Sequence, residues 1–166
     1  WDGALTYHDL GVLPAGAHDA VRGADGDVVV VGEGSSTAAG SLGGIAGSVR
    51  AWETSGFAPG AWAAPIADLV ESYGVVVLPS SPDGRDLAPR VAAVLDRPVL
   101  AGAVSIRSGV GGDVVATACF GGAVLAEHLV SEPVVVTFQP GVGHGSGHGT
   151  APEVAPIELE VGATAD

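Results

Sequence analysis

Two short stretches of this chain place polar groups where an α/β protein handles anions or partners. The first is Gly32-Glu33-Gly34-Ser35-Ser36-Thr37, directly after the apolar run Val28–Val31. Small residues between a strand and a helix let backbone N–H groups converge on an anion. Gly32, Gly34, Ser35 and Ser36 are therefore candidate cofactor-binding residues for a nucleotide phosphate. The pattern reads Gly-x-Gly-x-x-Thr, so the third glycine of the dinucleotide fingerprint is missing. No acidic residue is well placed about 20 positions later on a following strand end, Glu53 being the nearest candidate. A tight turn leading into a helix capped by Ser35 or Ser36 accounts for the same residues.

The second stretch is Ser80-Ser81-Pro82-Asp83-Gly84-Arg85-Asp86-Leu87-Ala88-Pro89-Arg90, after the apolar run Val75–Leu78. Asp86 and Arg90 lie four residues apart, share a helix face and can form an ion pair. Arg85 stands near the strand end, where it can meet an acidic neighbour or a phosphate. A charged helix start is the plain reading. Pro89 within the first turns is costly in a helix, and with two arginines around one aspartate it gives an interface role equal standing with that reading.

Other chemistry is not supported. His144 and His148 are separated by Gly-Ser-Gly. A His-x-x-x-His pair binds zinc from a helix, which glycine will not hold, so no metal site is expected. His8, His18 and His128 are scattered and read as surface residues, and Cys119 reads as a small core residue. Neither Gly40-Ser41-Leu42-Gly43 nor Gly34-Ser35-Ser36-Thr37 matches the Gly-x-Ser-x-Gly nucleophile elbow, and Gly145-Ser146-Gly147 has no strand before it. No paired carboxylates stand out for acid/base work. No catalytic residue is expected.

The elements that must position these groups follow from periodicity. Strands are predicted at Ala4–Tyr7, Asp27–Val31, Ser48–Trp52, Val75–Leu78 and Pro98–Val104. Helices are predicted at Leu13–Gly23, Thr37–Gly47, Gly60–Ser72 and Arg85–Leu95. The uninterrupted valine runs are those of strands buried on both faces. Strand and helix alternate to residue 104, which implies an α/β fold with a doubly wound, mostly parallel sheet and helices on both faces. Asp113–Phe120, Gly122–Val130 and Val134–Phe138 then read as a hairpin and one more strand, extending or covering an edge. Residues 1–140 form the α/β domain. Residues 141–166 comprise a Gly/His-rich segment, read as mobile over Gly141–Thr150, and an exit strand expected at Pro156–Val161.

Composition limits the partners. The 166 residues carry a formal charge of −13, contain no lysine and hold six arginines, two of them Arg85 and Arg90. Such a balance excludes nucleic acid and an anionic membrane surface, both of which need clustered cations. Hydrophobic residues make up 47%, enough for a sizeable core, yet no run reaches the roughly 18 apolar residues of a membrane span. One cysteine excludes an internal disulfide and fits a reducing cytoplasm. Asn and Met are absent with Lys, as a GC-rich genome would give, and a chain opening on Trp1 reads as lacking at least its start residue.

The run Val75–Leu78 with Gly84-Arg85-Asp86-Leu87-Ala88-Pro89-Arg90-Val91-Ala92 resembles the amino-terminal domain of the electron transfer flavoprotein alpha subunit. The likeness continues through Pro98–Val104, Gly121–Val130 and Pro133–Gly141, and covers residues 27–161. Gln139 stands where the family usually has Arg. Phe57–Trp62 and Thr137–Gly141 look most like actinobacterial alpha subunits associated with mycofactocin systems. The resemblance implies an electron carrier subunit rather than a catalyst on its own, in a heterodimer with a beta-type subunit that takes electrons from dehydrogenases through FAD. It implies that FAD is held mainly by a second domain whose Gly-Gln-Thr-Gly and Gly-Ile-Ser-Gly motifs this sequence lacks, so that this chain alone does not hold it. AMP is possible in the partner. Arg85, Asp86, Arg90 and Gln139 then become candidate interface residues, and an adenine-nucleotide module using Gly32–Thr37 is the alternative.

Overall fold

The computed structural model describes residues 3–7, 27–40, 48–109, 111–139 and 153–161. In chain order these form β1 (Gly3–Tyr7), β2 (Asp27–Gly32), α1 (Ser35–Gly40), β3 (Val49–Glu53), α2 (Pro59–Val70), β4 (Val75–Pro79) and α3 (Pro82–Leu95). Then come β5 (Val99–Gly109), β6 (Gly112–Cys119), β7 (Val124–Val130), β8 (Val134–Phe138) and β9 (Val154–Pro156). One sheet has the order β1-β2-β3-β9, all parallel. The other has the order β4-β8-β5-β6-β7, in which β8 runs parallel to both β4 and β5 while β5, β6 and β7 are antiparallel. Strand β1 runs close to β4, so the sheets abut there.

The valine runs explain the layering. Side chains alternate across a strand. On β2, Val29 and Val31 therefore face a core shared with Trp62 and Ile66 of α2 and Leu87 and Val91 of α3. Val28 and Val30 face the other way, onto Ala38 and Ala39 of α1. Strand β4 divides likewise: Val76 and Leu78 join α2 and α3, and Val75 and Val77 pack with Val115, Val134 and Val136. Each fully buried Val or Leu contributes about 1.5–3 kcal/mol, so two-sided burial makes these short strands the anchor of the molecule. The α/β fold with helices on both faces stands.

Several boundaries differ from the sequence expectation. Helix α3 starts at Pro82 rather than Arg85. Ser81 is its N-cap, with Oγ accepting from the Gly84 amide at 3.1 Å, and Pro82 takes the first turn, where no N–H is needed. Strand β8 does not extend an edge; it inserts between β4 and β5. The terminal ladder is Val154–Pro156, with Ile157 and Leu159 packed on the core beyond it, rather than a strand over Pro156–Val161. The predicted helix at Leu13–Gly23, the part of the Thr37–Gly47 helix beyond Gly40, and Gly141–Thr150 with both its histidines lie outside the described residues.

Candidate functional site

The glycine loop leaves the carboxyl end of β2, the edge where α/β sheets gather ligand contacts. Gly34 sits at φ +75°, a left-handed conformation that favours glycine. Parallel pairing sets Gly32 in register with Glu53, the last residue of β3. From there the Glu53 carboxylate reaches into the loop. It accepts the Gly34 amide and, on Oε2, the Ser36 amide at 3.3 Å and the Ser35 hydroxyl at 3.2 Å. The Gly34 amide, then the Ser36 amide, hold the Glu53 carboxyl below its ordinary range against slight desolvation. The loop is thus an anion cradle filled by the chain's own anion. As folded it does not fit a phosphate, because those donors are engaged and a second anion there would meet a carboxylate. Ser35 and Ser36 lie inside the first turn of α1, so Glu53 does the work expected of a serine cap.

The second group lies on α3. Asp86 and Arg90 form the expected pair, Nε to Oδ1 at 3.1 Å, with both side chains about half exposed. Arg85, the residue before Asp86, is exposed. Gly84 is buried, and a Cβ there would stand 1.9 Å from the Pro79 carbonyl oxygen. This glycine lets α3 dock against the end of β4 and carries Arg85 to the surface.

Gln139 follows β8 and is half-buried. Its amide donates to the Ala103 carbonyl at 2.8 Å and its side chain to the Gly102 carbonyl at 3.5 Å. Gly102, at φ +74°, also donates to Thr137 Oγ1 at 3.0 Å. Gln139 and Thr137 therefore hold the irregularity in β5 around Gly102. Ser80 donates its amide to Phe138 at 2.7 Å, so the turn before α3 and the residue before Gln139 meet at one sheet edge. Cys119 is half-buried rather than core, and Thr117 Oγ1 lies between its sulfur, at 3.9 Å, and His128 Nε2, at 3.0 Å.

Sequence reasoning missed a polar cluster at the opposite end of the first sheet. The Asp27 carboxylate accepts the Ser48 amide at 3.0 Å, the Ser48 hydroxyl and the Tyr73 hydroxyl, and lies 3.5 Å from Arg50 Nη2. Arg50 also donates to Tyr73 Oη at 3.2 Å. Burial opposes ionisation of Asp27, but Ser48, Tyr73 and Arg50 outweigh it and keep the carboxyl below its ordinary range. Desolvation and Asp27 itself push the Tyr73 phenol up. Asp27 opens a strand and Tyr73 follows a helix 46 positions later, so no local spacing announces them.

Among the described residues no three His, Cys, Asp or Glu side chains gather to hold a metal ion. Nor is any described helix long and apolar enough to cross a membrane. No curated protein sequence matches the chain. The family model of the electron transfer flavoprotein domain matches residues 2–161.

Proposed function

This chain belongs to the electron transfer flavoprotein domain family, and we propose that within it the chain acts as the amino-terminal domain of an alpha-type subunit. It serves as scaffold and partner surface in a heterodimer with a beta-type subunit, passing electrons from dehydrogenases through FAD. The isoalloxazine supplies the redox chemistry in the assembled protein. The observation that carries the scaffold role is Glu53: the one loop whose sequence suits a phosphate already binds the chain's own carboxylate. Arg85, Asp86, Arg90 and Gln139 supply partner surface and order its edges. The lone free Cys119 supports a cytoplasmic setting.

Titration of the chain alone with FAD and with AMP, followed by flavin fluorescence and calorimetric heat, tests this reading. Neither should bind. Tight FAD binding would sink the scaffold role, and tight AMP binding would favour the nucleotide module. Arg90→Ala should weaken association with a beta-type subunit several-fold and leave the unfolding midpoint almost unchanged, because its ion pair is exposed. Unchanged affinity by calorimetry would remove Arg90 from the interface.

A further inference from the structure

Strands β5, β6 and β7 form an antiparallel ribbon that curls. Val130 closes β7 beside Asp113, which pairs with Ser108 near the last residue of β5. Only residues 131–133 separate Val130 from Val134, the first residue of β8. Strand β8 runs beside the start of β5, with Val135 opposite Val99. The ribbon must therefore bend until both ends of β5 lie near this connection. A cleft of about 280 Å³ opens there, with Leu100, His128, Val130, Ser131, Glu132 and Val134 in its lining. An apolar cavity of about 150 Å³ suffices for a benzene ring. The cleft sits at the amino ends of β5 and β8, whereas the turn that carries Ser80 and Arg85 follows the carboxyl end of β4, parallel to them.

The polar groups around this cleft accept more than they donate. Glu132 brings an exposed carboxylate, and no arginine is among the described lining residues. Thr117 decides the state of the His128 ring. Its hydroxyl donates to the Ala126 carbonyl at 3.5 Å, so its oxygen accepts from His128 Nε2–H at 3.0 Å. The neutral ring then keeps Nδ1 as an acceptor. Ser131 adds a hydroxyl that serves either way. A chain of formal charge −13 draws cations and repels anions at long range. Apolar walls with a carboxylate and an imidazole acceptor suit a ligand that brings its own donors and a positive charge on a compact apolar body. We propose that this cleft binds a small organic ammonium ion, its apolar part against Leu100, Val130 and Val134 and its N–H groups on Glu132 and His128. Binding there needs neither FAD nor a second subunit.

Phenethylammonium, phenethyl alcohol and phenylacetate share one ring and differ in the charge of the head group. Each is titrated into the isotope-labelled chain at about pH 8, where an alkyl ammonium keeps its charge, and backbone amide shifts are followed by NMR. Phenethylammonium should shift Leu100, the 128–132 segment and Val134, with a Kd of about 1 mM, ordinary for a ligand of this size. The alcohol should bind about tenfold more weakly. Phenylacetate should be weaker still, because two carboxylates would meet at Glu132. Glu132→Gln, at an exposed position that leaves the fold alone, should bring the amine down to the affinity of the alcohol. His128→Phe should also weaken the amine several-fold, since both ring nitrogens are lost. Three results overturn the assignment: shifts confined to another part of the molecule, phenylacetate binding as tightly as the amine, or no saturable shift up to about 10 mM.

Discussion

Glu53 and Asp27 are carboxylates held ionised at opposite ends of the same sheet, and they do different work. Glu53 lies open to solvent and organises a loop; Asp27 is partly covered and ties β2 to the turn before β3 and to the end of α2. Glu53→Gln should therefore leave global stability nearly intact while amide hydrogen exchange at Gly34 and Ser36 quickens. In the wild-type chain the protection of both amides, relative to their intrinsic exchange rates, should fall only below the ordinary carboxylate range, where Glu53 takes up its proton. Tyr73→Phe removes the hydroxyl that donates to Asp27 and accepts from Arg50. It should destabilise by about 1–2 kcal/mol in urea denaturation near neutral pH. A carboxyl whose folded value is lowered stabilises above its unfolded value, about 3.9, and loses that contribution as pH falls through the folded value. Without Tyr73 Oη the Asp27 value moves back up, so the acid limb of the stability curve should become shallower.

At the scale of elements, the legible parts were those with local causes. Four valines in a row at 28–31 announce burial on both faces, and Asp86 four residues before Arg90 announces their pairing. Ser81-Pro82 was readable as a helix start, since a cap followed by proline needs no tertiary context, yet the expected boundary fell at Arg85. The place of β8 was not legible. Val134-Val135-Val136-Thr137-Phe138 has the look of a two-sided strand, but which strands flank it is a matter of long-range pairing. The sequence reading ends the third strand at Trp52 and finds no acidic residue well placed for the glycine loop, whereas Glu53 is itself the last residue of β3 and lies in parallel register with Gly32. Gly84 tests how tightly one helix depends on one missing methyl. Gly84→Ala would drive a Cβ into the Pro79 carbonyl, and overpacking of this kind costs about 1–3 kcal/mol. The denaturant midpoint should fall, and the first turn of α3, which carries Arg85, should shift away from the end of β4.

For the molecule as a whole, the cations are spent on structure as much as on surface. Arg97 donates to the backbone carbonyls of Tyr73 and Glu71, locking the turn after α2 to the end of α3. Arg50 serves Asp27 and Tyr73, and Arg107 serves Glu127. Arg97→Ala should cost about 1.5–3 kcal/mol by thermal or urea unfolding, the range for hydrogen bonds to a charged group; a change within about 0.5 kcal/mol, as at ordinary surface sites, would show that the turn holds without it. The strand order has a consequence for how the chain is made. Two partners arrive late: β8 enters between β4 and β5 only after residue 138, and β9 joins β3 only after residue 156. A nascent chain leaving the ribosome therefore carries β4 and β5 with an unfilled gap between them from residue 109 to residue 138, and β3 with one side open from residue 53 to residue 156. Such open apolar strands are exposed to aggregation. Pairing across large sequence separations is also slow, so this domain should close in one late step rather than by growth from its amino terminus.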